Sequence, residues 1–521
     1  MSGQQASISC DVLCIGGGST GVGIARDAAM RGLSTVLVER GDLATGTTGR
    51  FHGLLHSGGR YVVKDPAAAR ECAEENIVLR RIAADCIEDT GGLFVATPAD
   101  DPAYGDRFLA GCRASGVPVE EITVGEALRR EPRLNPGIRR AFLVPDASVD
   151  SWKTVWATVR SAQAHAARIL AHHRVESLLV TDRQVSGALV VDRAGQRTRI
   201  EARMVVNATG AWAGKIAAMA GARVNVRPGK GIMIAMNHRL VNTVLNRCTM
   251  PADGDILVPI RTVSVIGTTD VEVADPDDWA ITAQEVQQML QAGEMLVPGF
   301  RSARALRAWG GVRPLYQPEG EATGSRDITR THTLLDHASR DGIGGLLTIT
   351  GGKFCTYRLM AEQTVDAVCT ALGENRACRT AEEVLPDSTE HKHYWLGARL
   401  AAREATRNSD QLVCECELVP RSRLLKVLEK HSTTDLDDLR RLLRIGMGPC
   451  QGGFCMLRAA GVVHEAVGAD AATSVASLRT FAAERRKGVA PLLHGDQLRQ
   501  AALDEWILHG VLDIDHAMAE S

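Results

Sequence analysis

The 521-residue sequence lacks several features that would place it outside the ordinary globular enzymes. It has no apolar run of about 18 residues, so we expect no helix that spans a membrane. Residues Met1 to Ser9 are polar and lack the basic-then-apolar pattern of a signal peptide, which predicts a cytoplasmic chain. Neither charge predominates, since 60 basic and 62 acidic side chains give a net charge of −2. We therefore expect no broad basic surface and no nucleic-acid partner.

The composition that remains is that of a folded protein. Hydrophobic residues make up 45% and charged residues 23% of the chain, which excludes collagen-like and mostly disordered proteins. The length leaves room for about three domains of ~150 residues each. Thirteen cysteines in a reducing compartment argue against a disulfide framework, and for free thiols, a metal or a cluster.

The first forty residues contain a glycine-rich loop between a predicted strand and a predicted helix. Residues Asp11–Ile15 predict the buried strand, and the next six residues fit the pattern G-x-G-x-x-G. Gly16 permits the tight turn, Gly18 lets the backbone approach a pyrophosphate, and Gly21 lets the helix pack against the strand. Glu39 ends the next predicted strand, where a carboxylate can accept hydrogen bonds from a ribose diol. This order predicts a dinucleotide site, and its place near the N terminus is typical of FAD proteins.

Three further segments of small residues extend this prediction. A loop at 44–50 follows the first motif, a predicted strand enters a turn at 204–212, and another does so at 346–353. The stretch 356–372 predicts a helix whose N terminus would face the flavin. Segments so far apart predict a discontinuous FAD domain, with a substrate domain built from the stretches between them. The predicted limits are 8–385 for the oxidoreductase (roughly 8–90, 150–222 and 335–385 for FAD, 91–149 and 223–334 for substrate), 386–410 for a linker and 411–521 for a C-terminal domain.

Four motifs carry a resemblance to a known enzyme family. The runs Arg50–Tyr61, Gly267–Asp270, Gly311–Leu315 and Gly351–Arg358 resemble those of FAD-dependent glycerol-3-phosphate dehydrogenases. The resemblance covers residues 11 to about 385. It implies an α/β fold, with a Rossmann-like FAD domain of the D-amino-acid-oxidase type and an inserted α+β substrate domain. It also implies oxidation of sn-glycerol 3-phosphate to dihydroxyacetone phosphate, with hydride transfer from C2 to the flavin.

The resemblance implies a substrate site that is rich in cations. Its expected residues are Arg60, Tyr61, Thr268, Arg313, Arg330 and Lys353. A phosphate dianion suits forked, permanently charged donors, so Arg330 is the expected phosphate ligand. Arg313 and Lys353 are expected near the reacting oxygen, where a developing alkoxide needs a cation or a hydrogen-bond donor.

The general base is the point at which the sequence departs from the family. Aerobic relatives carry a candidate histidine where this chain has Met233, which cannot take a proton. His56, or a water held by Arg313 and Lys353, remains as the candidate, because nearby cations lower the pKa of the alcohol. We therefore name Arg313, Lys353 and His56 as the expected catalytic residues.

By the same resemblance, FAD-binding residues are expected in the glycine loop, in the segment after it and in the two later turns. They are Gly16, Gly18, Ser19, Thr20, Gly21, Glu39, Arg40, Thr45, Thr47, Thr48, Gly49, His52, Leu54, Thr209, Gly210, Gly352, Lys353 and Phe354. Histidines in such a loop are more often structural than catalytic, and both interpretations stay open for His52 and His56.

The C-terminal part contains two pairs of cysteines. Cys414 and Cys416 form a C-x-C pair, and after 33 intervening residues Cys450 and Cys455 form a C-x4-C pair. Four thiolates gathered near one point repel each other unless cations neutralise them. The spacing therefore favours a cluster or a metal, and these four residues are the expected ligands.

Two predicted helices would bring the cysteine pairs together. The first covers 435–444, with leucines on one face and Thr434 as its expected N-cap, and the second covers 456–467. The small, mainly helical arrangement resembles the bacterioferritin-associated-ferredoxin-like [2Fe–2S] domain. A structural zinc site is the main rival, and free buried thiols are the third possibility. With this tail, the whole pattern is most similar to the anaerobic branch of the family.

These features predict a catalytic subunit that lies on the inner face of the cell membrane and feeds electrons to quinone indirectly. By family analogy its partners are an iron–sulfur membrane-anchor subunit together with a second, flavin-containing subunit. One alternative is an FAD dehydrogenase for another polyol phosphate or for an amino or opine acid. Another is a non-catalytic FAD and iron–sulfur redox protein, although the presence of both Arg313 and Lys353 argues against it.

Overall fold

A computed structural model describes residues 6–318, 328–405, 410–431 and 433–514. Its strands are β1 (Ala6–Ile15), β2 (Thr35–Val38), β3 (Leu54–Leu55), β4 (Ile87–Glu88), β5 (Gly92–Ala96), β6 (Glu120–Ile122), β7 (Arg140–Val144), β8 (Ala147–Val149), β9 (Arg168–Leu170), β10 (Arg174–Thr181), β11 (Gln184–Val191), β12 (Arg197–Asn207), β13 (Val226–Met236), β14 (Val244–Arg247), β15 (Ile256–Ile260), β16 (Val263–Gly267), β17 (Val271–Glu272), β18 (Ala305–Tyr316), β19 (His332–Asp336), β20 (Leu346–Gly351), β21 (Leu412–Cys414) and β22 (Val419–Pro420). Its helices are α1 (Ser19–Met30), α2 (Pro66–Ile82), α3 (Tyr104–Ser115), α4 (Val124–Arg130), α5 (Ser151–Ala164), α6 (Ala213–Ala218), α7 (Ala283–Leu296), α8 (His337–Asp341), α9 (Tyr357–Leu372), α10 (Leu396–Ala405), α11 (Arg421–Lys430), α12 (Leu436–Leu443), α13 (Cys455–Val467), α14 (Ala471–Arg486) and α15 (Asp496–Glu505).

The first large sheet has a parallel centre with the order β20-β12-β1-β2-β9. Side chains of α1, α5 and α9, among them Val22, Val155 and Val365, form one hydrophobic core with this sheet. The antiparallel pair β10–β11 and helix α6 contribute to a second core. A parallel sheet needs cover on both faces, and this arrangement provides it. The predicted Rossmann-like α/β fold is thereby confirmed.

Strand β12 shows how burial follows the position of a strand in its sheet. Its first half alternates between exposed and buried residues and pairs with β11 on one side. Its last four residues, 204–207, are all buried, and there the strand lies between β1 and β20. The buried end reaches Thr209 and Gly210, so the sheet fixes this turn at the edge where ligands bind in open α/β sheets.

The second large sheet has nine strands and is mostly antiparallel. Strands β15 and β16 pair as an antiparallel hairpin. Helix α7 packs against this sheet through Val286, Met289 and Leu290. Its N terminus is fixed by a capping box in which Thr282 and Glu285 exchange hydrogen bonds. A small three-stranded sheet, β3-β8-β4, accompanies the two large ones.

The C-terminal part is a small helical unit with its own core. Leu424, Leu439, Val463 and Phe481, which come from α11 to α14, are buried together. The expected N-cap of α12 was wrong by one residue: α12 begins at Leu436, so Asp435 takes the cap position and accepts hydrogen bonds from two backbone N–H groups. No helix within the described ranges is long and apolar enough to cross a bilayer.

Candidate active site

A cavity of about 1120 Å³ is lined by residues of both large sheets. Every predicted cofactor and substrate residue lies on its wall except Gly21 and Gly49. A Cβ at Gly21 would lie 1.8 Å from Gly16 O, and a Cβ at Gly49 would lie 2.1 Å from Ala44 O. These two glycines therefore permit close backbone packing behind the wall. The predicted residues on the wall are Gly16, Gly18, Ser19, Thr20, Glu39, Arg40, Thr45, Thr47, Thr48, His52, Leu54, His56, Arg60, Tyr61, Thr209, Gly210, Thr268, Arg313, Arg330, Gly352, Lys353 and Phe354.

The glycine loop leaves the N terminus of α1 open toward the cavity. Gly16 has φ +115, and a Cβ there would lie 2.6 Å from Ala208 O, so a larger residue cannot take its place. Gly18 is the N-cap of α1 and has no side chain to accept the helix's free N–H groups. The first turn also contains no acidic residue. Ser19 N donates to Thr48 Oγ1 at 3.0 Å, and the other N–H groups of the first turn suit the pyrophosphate of a dinucleotide.

Glu39 is held rigidly at the end of β2. Its carboxylate accepts hydrogen bonds from Gly17 N at 2.7 Å and from Gly41 N at 2.8 Å. Arg40 points elsewhere: it stacks on the Trp212 ring at 4.5 Å and pairs with Asp277 at 2.8 Å. The fixed carboxylate can accept further hydrogen bonds from a ribose diol, because each oxygen has a second lone pair.

Two arginines of the substrate site share one carboxylate. Arg313 Nη1 lies 3.1 Å from Asp270 Oδ1, and Arg330 Nη2 lies 3.6 Å from Asp270 Oδ2. Arg313 also donates to Thr268 Oγ1 and to Thr269 O. Arg330 Nη1 is buried without a hydrogen-bond partner among the described residues. This nitrogen can donate to an anion that enters the cavity.

Lys353 completes the cationic wall. Its ammonium donates to Arg330 O at 2.7 Å and lies 5.0 Å from the centre of the Tyr61 ring. Arg60 is paired with the buried Asp255 at 2.5 Å. Burial lowers the pKa of the Arg313 guanidinium to about 10, so Arg313 is charged at neutral pH. The structure therefore brings together all six predicted substrate residues.

The two histidines of the loop are neutral at pH 7. Burial lowers the pKa of His52 to about 3 and that of His56 well below its ordinary value. The His52 Nδ1 atom accepts a hydrogen bond from Leu54 N at 3.2 Å, which gives this histidine a structural role. The ring of His56 lies 5.3 Å from that of Tyr61, and His56 lines the cavity. A neutral His56 has a free lone pair on one ring nitrogen and can accept a proton.

Met233 lies away from the cavity wall. Its side chain is 1% exposed and packs with Ala235, Val265 and Leu306. Met233 is not among the residues that line the cavity, and its thioether supplies no base there.

Two acidic residues of the site were missed in the sequence. Asp270 ends the motif Gly267–Asp270. Its role cannot be read from the sequence, because Arg313 and Arg330, which pair with it, lie more than 40 residues further along the chain. Asp65 caps α2 through Ala68 N, and its second oxygen accepts hydrogen bonds from Thr329 Oγ1 and Arg330 N, both at 2.8 Å. The sequence Asp65-Pro66 is a recognisable signal for the start of α2. The contact of Asp65 with Thr329 is not recognisable in the sequence, because the two residues are 264 positions apart.

The four paired cysteines meet in the helical unit. Cys416 Sγ lies 3.7 Å from Cys450 Sγ, and each of the four thiols shifts the pKa of two others, in the order 414, 416, 450 and 455. The shared contacts lower the pKa of the Cys414 and Cys450 thiols and raise that of the Cys416 and Cys455 thiols, because two of the thiols donate to the other two. A Cβ at Gly448 would lie 2.2 Å from the Cβ of Cys416, so glycine is required beside this site.

In the part of the chain that the structure describes, no three of the four sulfurs lie within 4.8 Å of one another. Among the described residues, the three-membered group with all ligand atoms within 4.8 Å is Asp42, His172 and Asp438. Arg441 pairs with both of these carboxylates, so its guanidinium already supplies the positive charge there. Tetrahedral zinc with Zn–S bonds of ~2.3 Å would place all four sulfurs about 3.8 Å apart. The 3.7 Å between Cys416 Sγ and Cys450 Sγ is the distance of two thiolates on one metal atom, which a zinc site and an iron–sulfur cluster share.

Comparisons with known proteins identify the family of this chain. The family model "FAD dependent oxidoreductase" matches residues 11–358. The chain is 43% identical to the A subunit of anaerobic glycerol-3-phosphate dehydrogenase from Escherichia coli K12 over 98% of both chains. It is 46% identical to the A1 subunit of that enzyme from Haloferax volcanii, over 98% of this chain and 92% of the relative.

A solved structure shares the fold over nearly the whole length. The glycerol-3-phosphate dehydrogenase of Bacillus halodurans, complexed with FAD, has a TM-score of 0.63 at 22% identity, and the match covers 95% of this chain and 97% of that one. The length and identity of the matches to the A subunits exclude a similarity confined to the FAD fold. The chain therefore belongs to the FAD-dependent oxidoreductases and, within them, to the family of anaerobic glycerol-3-phosphate dehydrogenase A subunits.

Proposed function

We propose that the protein oxidises sn-glycerol 3-phosphate to dihydroxyacetone phosphate with FAD and transfers the electrons through a [2Fe–2S] cluster to partner subunits. The observation that carries the proposal is the cationic wall of the cavity, where Arg313 and Arg330 share one carboxylate and Arg330 Nη1 has no partner among the described residues. The family of A subunits, named for this substrate, supports it.

The cavity fits FAD in three respects. The uncapped N terminus of α1 can bind the pyrophosphate, the fixed carboxylate of Glu39 can bind the ribose, and Gly16 lets the backbone pass close to the ligand. When bound, FAD supplies a two-electron acceptor for the hydride from C2 of the substrate. The remaining steps fall to the side chains of this chain.

The cations divide the work between phosphate and alcohol. Arg330 binds the phosphate dianion through its forked donors, and Asp65 holds the backbone of Arg330 in place. Arg313 and Lys353 stabilise the negative charge that develops on the C2 oxygen as the hydroxyl proton leaves. Arg313 is in turn oriented by hydrogen bonds to Thr268 and Asp270.

The hydroxyl proton goes to a weak base. His56 is neutral and lines the cavity, so its free ring nitrogen can accept this proton, directly or through a water held by Arg313 and Lys353. The low pKa of His56 means that it passes the proton on to solvent rather than retaining it. A weak base suffices because the neighbouring cations lower the pKa of the alcohol.

The four cysteines fit a [2Fe–2S] cluster, which would accept electrons one at a time. The mutual contacts of the four thiols, with Cys416 Sγ 3.7 Å from Cys450 Sγ, support this assignment. From the cluster, electrons would go to an iron–sulfur membrane-anchor subunit together with a second, flavin-containing subunit, and from there to quinone. The relatives are designated as A subunits, which supports the presence of further subunits, and we place the protein at the inner face of the cell membrane.

An absorbance spectrum combined with iron and zinc analysis tests the proposal. The purified protein should contain FAD, about two irons per chain and no stoichiometric zinc. Under anaerobic conditions, sn-glycerol 3-phosphate should bleach the flavin, whereas glycerol at the same concentration should not. A flavin that stays oxidised with excess substrate would refute the catalytic proposal. Zinc in place of iron would refute the cluster alone. Faster reduction by erythritol 4-phosphate would assign another polyol phosphate as substrate.

A further inference from the structure

Four buried charged residues form a closed ring between the helical unit and the rest of the chain. Arg261 donates to Glu417 at 2.9 Å and to Asp150 at 2.8 Å. Arg444 lies 3.2 Å from the same oxygen of Glu417 and 3.5 Å from the same oxygen of Asp150. The four side chains are at most 10% exposed. We refer to Asp150, Arg261, Glu417 and Arg444 as the charge ring.

The four residues of the charge ring belong to four different structural elements. Asp150 caps α5, and Arg261 forms the turn between β15 and β16. Glu417 directly follows Cys416, a proposed cluster ligand, and Arg444 ends α12. Arg261 has φ +51 and Arg444 has φ +64, a region that favours glycine. Arginine at two such positions costs free energy, so the contacts of the side chains must compensate for it.

The hairpin β15–β16 connects the charge ring to the substrate cavity. At its open end, Ile256 and Thr268 line the cavity, and Thr268 accepts a hydrogen bond from Arg313. At its turn, Thr262 Oγ1 would lie 3.3 Å from a Cβ placed at Gly448, the glycine that packs against Cys416. Strands of five residues with a rise of ~3.4 Å span about 15 Å. One rigid element therefore contacts the substrate site at one end and the cysteine site at the other.

We infer that Arg261 is a positioning residue that holds the cysteine site at a fixed distance from the cavity for electron transfer. The inference rests on the proposed function, because it requires a cluster at the cysteines. Arginine suits this position because its fork binds Glu417 of the helical unit and Asp150 of α5 at once. Its guanidinium also stacks on Tyr394 at 4.1 Å, which fixes its plane. A lysine could make one of these ion pairs but not the whole set.

The test compares Arg261→Met with Arg261→Lys in the full-length protein that contains FAD and iron. Arg247→Met is the matched control, because Arg247 also forms an ion pair with a buried carboxylate, Asp100, but within the second sheet. Stopped-flow absorbance after adding sn-glycerol 3-phosphate measures the reduction of the flavin and of the cluster separately. Iron content, the electron paramagnetic resonance spectrum of the reduced cluster and hydrogen exchange of residues 410–431 are measured in parallel.

We expect Arg261→Met to reduce its flavin at the wild-type rate but its cluster about tenfold more slowly, since positioned reactions are sensitive to shifts on the order of 1 Å. Hydrogen exchange at 410–431 should rise by about 100-fold, as expected for loss of one partner of a buried ion pair. Arg261→Lys should recover part of both effects, and Arg247→Met should show neither. A full iron content with wild-type cluster reduction in Arg261→Met would overturn this inference alone. A wild-type protein without iron would overturn the cluster and this inference together.

Discussion

The arginines of the substrate cavity and those of the charge ring are paired in different ways. In the cavity, Arg313 and Arg330 share the single carboxylate of Asp270, and Arg330 Nη1 has no partner among the described residues. In the charge ring, Arg261 and Arg444 each contact two carboxylates, so positive and negative charges balance. A buried cation without enough counter-charge is costly, and a protein keeps it where a ligand supplies the missing charge. Incomplete charge pairing therefore marks the cavity as a binding site, and complete pairing marks the charge ring as a structural contact.

The largest effect is expected when the cavity loses its incompletely paired cation. Arg330→Ala removes the charge-assisted hydrogen bonds to the phosphate, so kcat/KM for sn-glycerol 3-phosphate should fall by about 10²- to 10³-fold. Most of this loss should appear in KM, and steady-state dye-reduction kinetics measure it.

The control for this variant is Arg227→Ala. Arg227 pairs with Glu272 in a partly exposed position, so its loss should change kcat/KM less than about twofold. An unchanged KM in Arg330→Ala would mean that the phosphate binds elsewhere. The incomplete pairing of the cavity arginines would then not mark a substrate site.

A second prediction addresses a balanced contact of the helical unit. Arg441 pairs with Asp42 of the FAD-binding part and with Asp437 and Asp438 of its own helix, and all four side chains are buried. Arg441→Ala removes the guanidinium that these three carboxylates share, although Asp437 keeps its pair with Arg440 and Asp438 keeps His172 at 3.6 Å. The loss should lower the free energy of unfolding by about 3 kcal/mol. Urea denaturation measures the change.

The exposed pair of Arg197 with Glu176 provides the reference for Arg441. Arg197→Ala should cost less than about 1 kcal/mol, because solvent screens this ion pair. If Arg441→Ala were no more destabilising than Arg197→Ala, the buried ion pairs of Arg441 would have no structural role. Balanced charges would then not identify a structural contact.

The smallest effect is a pH dependence that His52 produces. Its ordinary pKa is 6.5, and burial lowers it to about 3 in the folded protein. As the pH falls below 6.5, the unfolded chain binds a proton at His52 and the folded chain does not, so the folded state loses stability down to pH 3. Between pH ~7 and ~5.5, the wild type should therefore lose about 1 kcal/mol relative to His52→Gln. Equal losses in urea denaturation of both proteins would show that the folded chain binds the proton at His52 over the same pH range as the unfolded chain.

The local parts of this structure follow from the sequence. The glycine loop, α1 and Glu39 lie within one short segment, so the order of strand, turn and helix predicts them together. The cap of α12 shows the limit of this approach, because Thr434 and Asp435 are both good caps. Asp435 caps the helix because α12 begins at Leu436, and a sequence pattern does not determine a helix end to one residue.

The non-local parts could not be predicted in the same way. Arg261 and Glu417 are 156 residues apart, and Asp65 and Thr329 are 264 residues apart. Nothing in the spacing of these residues indicates the contact, because it depends on how the hairpin β15–β16 and the helix α2 pack after folding. The cationic residues of the cavity were identified through the family resemblance, whereas Asp270, which orients two of them, was recognised as part of the site in the structure.

The binding of inorganic phosphate tests the central claim most directly. The oxidised protein is titrated with phosphate, and the change of the flavin spectrum gives the dissociation constant for the wild type, Arg330→Ala and Arg261→Lys. The incompletely paired Arg330 predicts that phosphate binds the wild type and Arg261→Lys equally and competes with sn-glycerol 3-phosphate. Arg330→Ala should bind it at least about tenfold more weakly. Equal phosphate affinity in all three proteins would contradict the claim that the surplus charge of the cavity is a substrate site.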